Sequence, residues 1–291
     1  MAALGSKSKG IIFNWKNLIV VAAAGLVLVL RWKYALSLTA FLVFFILPLA
    51  VFYLILPLVA RRMFPAFERQ MGILHMKGKL QDALDLYRRS LMLRAFGPTA
   101  GMKKLLGQTY AFLFKWSSAR SAFEEAVTAP GGSHDIAVVA GYAEACFQTG
   151  FDGEAERALK RFGKSGIGLG TSSYYAIHLI LEDEKRRKGA RAAFEAVTWN
   201  EEKDADVRLL ALAEIEAEEG ALEKALGTLK LVDRKALPPP LRPMARLLEG
   251  RILYLQKRTA EAARILKELS RNAPSGRVQL EIEDFELPPE N

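Results

Sequence analysis

Four places in the chain hold residue types that could do chemistry. Ala158-x4-Gly163-Lys164-Ser165 fits the permissive form of a phosphate-binding loop, in which loop amides and a helix N-terminus face phosphate. That chemistry needs a strand before the loop and a helix after it. Here the stretch closes a helical pattern, and residues 163–170 read as a linker. His75, His134 and His178 are scattered, with no second ligand at i+3 or i+4, so no metal site is expected. The run Glu182-Asp183-Glu184-Lys185-Arg186-Arg187-Lys188 reads as a solvated helix end and turn. Cys146, the single cysteine, falls on an apolar helix face and is expected to be a buried thiol that cannot form an intrachain disulfide. No Ser/His/Asp arrangement carries a local signature, and no carboxylate pair stands out from helix-surface charge. The expectation is a non-enzyme with no catalytic, metal or cofactor-binding residue and no cofactor.

The elements that position these residues are set by a periodic alanine. Ala83, Ala119, Ala155, Ala190, Ala225 and Ala262 follow one another at spacings of 36, 36, 35, 35 and 37. Four residues after each stands a large apolar side chain: Tyr87, Phe123, Leu159, Phe194, Leu229 and Leu266. Twelve before stand Met71, Gly107, Ala143, His178, Ala213 and Gly250, four of them small. Five before, Gly78, Gly150 and Gly220 supply a turn in which a left-handed conformation suits glycine. Small residues let two helix backbones approach, and the aromatic or leucine fills the space beside them. The fourth unit departs most, since His178 and Lys185 replace the small residue and the turn glycine.

The stretch LGQTYAFLFKWSSARSAFEEAV, Leu106 to Val127, resembles one tetratricopeptide repeat (TPR), and the register above extends that resemblance from Phe64 to Asn272. The resemblance implies an all-α, right-handed solenoid of about six helix pairs. It also implies that the first helix of each pair lines a concave groove. Counted from the anchors, the groove should receive Glu68, His75, Lys104, Gln108, Phe112, Glu144, Phe147, Gln148, Tyr175, Glu182, Glu214, Glu218, Arg251 and Tyr254. Phe112, Phe147 and Tyr175 are the expected aromatic anchors for a partner. The Lys/Asn pattern with which some members clamp a terminal carboxylate is not matched.

Charge divides the chain into three. Residues 1–62 hold seven Lys/Arg and no acid, for +7; residues 273–291 hold one Arg and five acids, for −4; residues 63–272 carry the remaining +6 of the net +9. Leu18 to Leu30 is apolar and flanked by Trp15 and Trp32, so residues 15–32 make a helix of about 26 Å with aromatics at both interfaces. Residues 36–60 run 25 residues without a charge, ending at Arg61-Arg62, with Pro48 and Pro57 expected to kink the helix. Arg31-Trp32-Lys33 stands where a signal peptide would have a small-residue cleavage site. The reading is a transmembrane hairpin in a multi-pass protein of the inner (cytoplasmic) membrane. Its flanks (Lys7, Lys9, Lys16; Arg61, Arg62, Arg69) outweigh the tip (Arg31, Lys33), which puts the solenoid on the cytoplasmic side. This layout looks like that of some bacterial inner-membrane repeat proteins.

The expected function is a membrane-tethered scaffold that holds a partner protein or peptide at the membrane surface. The alternative is a self-assembling structural protein that forms a homo-oligomer without a client. Nucleic acid is not an expected partner, because no basic stripe with interleaved aromatics occurs in the repeats. The acidic tail, 273–291, contains Val278, Leu280 and Ile282 alternating with Gln279, Glu281 and Glu283, which reads as an extended segment covering the last repeat.

Overall fold

Alanine- and leucine-rich stretches at helical spacing leave little choice of secondary structure, and every regular element among the described residues is a helix. The computed structural model describes residues 49–163, 170–272 and 276–283, together with Gly25, Val29, Trp32, Lys33, Ser37, Thr39, Val43 and Leu47. The helices are α1 (Leu56–Met76), α2 (Leu80–Arg89), α3 (Leu91–Phe96), α4 (Thr99–Phe112), α5 (Trp116–Thr128), α6 (Ile136–Gln148) and α7 (Asp152–Gly163). They continue as α8 (Gly170–Glu182), α9 (Ala190–Glu195), α10 (Ala205–Glu218), α11 (Leu222–Lys230), α12 (Leu241–Leu255), α13 (Thr259–Asn272) and α14 (Arg277–Glu283). Contacts divide the chain into two units, residues 1–67 with 91–98, and residues 68–90 with 99–291.

In the first unit, Val51–Ile55 forms a π-helical turn directly before α1. Pro57 follows it, and its missing amide leaves the carbonyl four residues earlier without a helical donor. Phe52 meets Phe96 of α3 edge to face, ring centroids 5.0 Å apart. Large apolar side chains here face outward, among them Tyr53, Leu54, Ile55, Leu58 and Met63. The two expected transmembrane stretches, 15–32 and 36–60, lie largely outside the described residues. Among the described residues no helix is long and apolar enough to cross a membrane.

The second unit is solenoid-like in character. Its helices alternate as first and second members of pairs joined by short turns, and packing runs within pairs (α4 on α5, α6 on α7, α12 on α13) and onto the next pair (α5 on α6, α8 on α10, α11 on α12). All six anchoring alanines lie on second helices and are at most 1 % exposed. Phe123 shows why small residues recur. Its ring is clasped between α4 and α6, so that a Cβ on Gly107 would come within 2.9 Å of it and one on Gly141 within 2.3 Å. Neither glycine can be enlarged without moving the ring.

The turn position five residues before each anchor is left-handed in five of the six pairs. Gly78, Gly150 and Gly220 have φ of 67°, 73° and 81°, and the non-glycine Phe114 and Lys257 have φ of 55° and 62°. The exception is the fourth pair, where a 3-10 turn, Arg187–Gly189, replaces it and the second helix shortens to six residues. Lys257 is exposed and gains nothing from its side chain to offset a left-handed penalty of about 1–2 kcal/mol. Lys257→Gly should therefore stabilise the chain by about 0.5–1 kcal/mol after the entropy cost of glycine. A raised denaturation midpoint checks this; a lowered one contradicts it.

Candidate interaction groove

The expected groove residues lie on α1, α4, α6, α8, α10 and α12, and a C-terminal helix packs against part of this set. Residues 277–283 form the helix α14, and it packs against α12 and α13 while its N-terminus reaches α6 and α7. The extended segment expected for this stretch is thus corrected to a helix. Val278 and Ile282, four apart, are both buried in the apolar core, whereas Leu280, which an extended strand would place beside them, is 43 % exposed. The period is helical because Arg277 and Glu281 also pair at i+4, at 2.9 Å.

Docking begins at Gly276. Its φ is +141°, and a Cβ there would lie 2.6 Å from Gln148 Oε1 and 2.9 Å from Trp116 Nε1, so only glycine fits. The Arg277 amide donates to Gln148 Oε1 at 3.0 Å. The Arg277 guanidinium is buried, donates to Asp152 Oδ1 at 2.7 Å and lies 5.2 Å over the Phe147 ring. Glu182 stands 3.9 Å away.

One turn on, Glu281 Oε1 meets Nε2 of His178 at 3.2 Å, while Nδ1 of His178 lies 2.6 Å from Glu214 Oε1. His178 is completely buried, edge-on to Phe147. Burial alone would discharge the imidazole, but Glu214 and Glu281 outweigh it and hold its pKa at about 10. Burial likewise pushes the Glu281 carboxyl up, yet His178 and Arg277 bring it down to about 2. Arg251 donates to Glu218 at 3.1 Å and, against its burial, is kept charged by Glu214, Glu281, Glu218 and Glu182.

These shifts fix the sign of a pH dependence. The raised His178 value contributes stability that is complete below about 6.5 and lost as pH rises through about 10. The depressed Glu281 value contributes stability present above about 4.5 and lost as pH falls through about 2. Melting temperature should decline from pH 6.5 toward 10, and His178→Gln should flatten that decline. A rise over this range would contradict the charged-pair reading.

The remaining expected residues are placed as follows. Phe147 and Tyr175 are fully buried and stacked on each other, centroids 4.3 Å apart, so neither is an exposed anchor with α14 in place. Gln148 is buried beneath Gly276, and its Oε1 accepts from the Arg277 amide. Tyr175 donates to Glu144 at 2.9 Å; burial raises the Glu144 carboxyl, and this hydrogen bond partly offsets the shift. Lys104 pairs with Glu68 at 3.2 Å and Asp135 at 3.6 Å. Gln108 is half-buried, and Phe112 and Tyr254 are exposed. His75, its pKa lowered by burial, meets Thr109 Oγ1 at 2.9 Å and packs 5.2 Å from the Phe112 ring.

A cavity of about 560 Å³ is lined by Phe112, Trp116, Glu144, Tyr175, Asp204 and the prolines 238, 239 and 240. Asp152, Arg277 and Glu281 were not among the expected groove residues. Their sequence signal was the i,i+4 charge pair of Arg277 and Glu281, hidden in a tail read by its alternating apolar residues.

Elsewhere, Cys146 is buried as expected, and burial pushes its thiol up to about 11. Residues 152–163, which precede Lys164-Ser165, are helix rather than strand; Lys164 and Ser165 themselves lie outside the described residues. The run 182–188 is a helix end and turn, with Arg186 paired to Glu156 and Asp183. Among the described residues no group of His, Cys, Asp and Glu could hold a metal ion. No protein-family model matches this chain, and no curated protein matches it.

Proposed function

We propose that this chain is a membrane-anchored, TPR-type scaffold that binds a short segment of a partner protein on its first-helix face and holds it at the membrane surface. The observation that carries the reading is α14: the face already accommodates a seven-residue helix through buried ion pairs and two apolar side chains. A face with this chemistry is a helix-in-groove receptor. The tether rests on the uncharged stretch 36–60 and on the outward-facing apolar side chains that precede Arg61-Arg62. Positive charge at both flanks places the solenoid in the cytoplasm.

A reporter active only outside the cytoplasm, fused after Asn291, should stay silent; a strong signal reverses the topology. For the binding role, proximity labelling of the intact protein in its own membrane should mark a discrete partner set. That set should shrink when Phe112 and Tyr254, both exposed, are changed to Asp. Labelling of the chain itself alone, unchanged by the substitutions, would instead mean stacking without a client.

A further inference from the structure

Resting on that groove reading, we infer that the groove selects a helical partner segment of the pattern Gly-basic-apolar-x-x-Glu-apolar, and that α14 is the chain's own competing copy of this ligand. Each position of the pattern is set by a contact. Glycine is required where Gln148 Oε1 and Trp116 Nε1 leave no room for a Cβ. The basic side chain answers Asp152 at 2.7 Å and covers the Phe147 ring. The glutamate four positions on from it answers the buried His178 at 3.2 Å. The two apolar positions are those of Val278 and Ile282, which complete the core.

One feature marks α14 as a displaceable occupant. The 560 Å³ cavity shares Phe114, Trp116 and Pro240 with the recess around Gly276 and Val278. A partner segment longer on its N-terminal side has apolar surface there that α14 leaves uncovered. Because only four residues, 273–276, join α14 to Asn272, its effective concentration is high, and a partner gains access only in competition with it.

The test is a titration of the full chain in detergent with a fluorescently labelled peptide of residues 276–283, followed by anisotropy. Two chains are compared with wild type, Gly276→Ala and Arg277→Glu, each of which removes α14 from the groove by a different contact. The peptide should bind both variants at least tenfold more tightly than wild type. A peptide carrying Glu in place of Arg277 should bind neither. Equal affinity for the two peptides overturns the selectivity. Absence of binding to both variants, with amide exchange showing 277–283 released and helical content kept, overturns the inference. Wild-type dimers in light scattering that become monomers in Gly276→Ala would give the groove to a second copy and overturn it too. A failed titration beside an intact set of labelled partners removes only this pattern; loss of the labelled set removes the scaffold reading itself.

Discussion

Replacing Phe123 by alanine should lower the unfolding free energy by about 3–5 kcal/mol, the range for deleting a buried phenyl ring. The ring is 2 % exposed and fills the space between Gly107 of α4 and Gly141 of α6. With no Cβ on either glycine, neighbouring side chains cannot collapse into the void, so the upper part of the range applies. A double-mutant cycle sharpens the test. Gly141→Ala alone forces a Cβ to within 2.3 Å of the ring and should cost about 1–3 kcal/mol through overpacking. In the Phe123→Ala background the same methyl occupies vacated space and should be neutral or stabilising, a coupling well outside additivity. Chemical denaturation at constant slope measures each value. A loss below about 1 kcal/mol for Phe123→Ala, or additive effects, would mean that the ring does not set the spacing between pairs.

The second large effect concerns Arg277→Glu. The guanidinium is buried and bonded to Asp152 and Glu281, with Glu182 close by. Reversal places a fourth carboxylate among three and removes the cation they share, leaving His178 as the cation beside Glu281. Asp152 is half exposed, so losing this pair costs less than the about 3–5 kcal/mol of a fully buried one, but a carboxylate at the buried Arg277 position adds desolvation and repulsion from Glu281 to that loss. The helix should therefore leave the groove while α4 to α13 stay folded, because their packing does not pass through it. Far-ultraviolet circular dichroism should change by no more than one short helix, and Cys146 should stay unreactive since α6 and α7 bury it. Reverting the local charge balance with Asp152→Lys in the same chain should restore part of the docking. Unchanged protection of 277–283 in Arg277→Glu would show that the ion pairs do not hold the helix.

How far the sequence foretold this can be judged from individual residues. The alanine register was readable because a residue at a close helix crossing must be small wherever the crossing recurs, and the six anchors are buried as that argument requires. Gly78, Gly150 and Gly220 were readable because glycine is the default left-handed residue; Phe114 and Lys257 were not, because there the fold imposes the conformation on residues that resist it. The expected groove residues fall on helices, yet exposure could not be inferred for Phe147 and Tyr175. What covers Phe147 includes Arg277, which pairs with Asp152 from 125 residues away. Local pattern carries no trace of such a contact. In seven residues, Val278, Leu280 and Ile282 alternate well enough to read as a strand, and only the long-range partners of Arg277 and Glu281 decide for a helix.

Amide hydrogen exchange of the full-length protein reads whether the chain's own α14 stays docked against α12 and α13. The amide of Arg277 donates to the buried Gln148 side chain, and those of Gln279 and Leu280 donate to the Gly276 carbonyl. Residues 277–283 should be protected in the wild-type chain, less than α12 and α13, and lose that protection in Gly276→Ala with α12 and α13 unaffected. Rapid exchange across 277–283 in the wild type, with the rest of the second unit protected, would contradict that docking and leave the groove open.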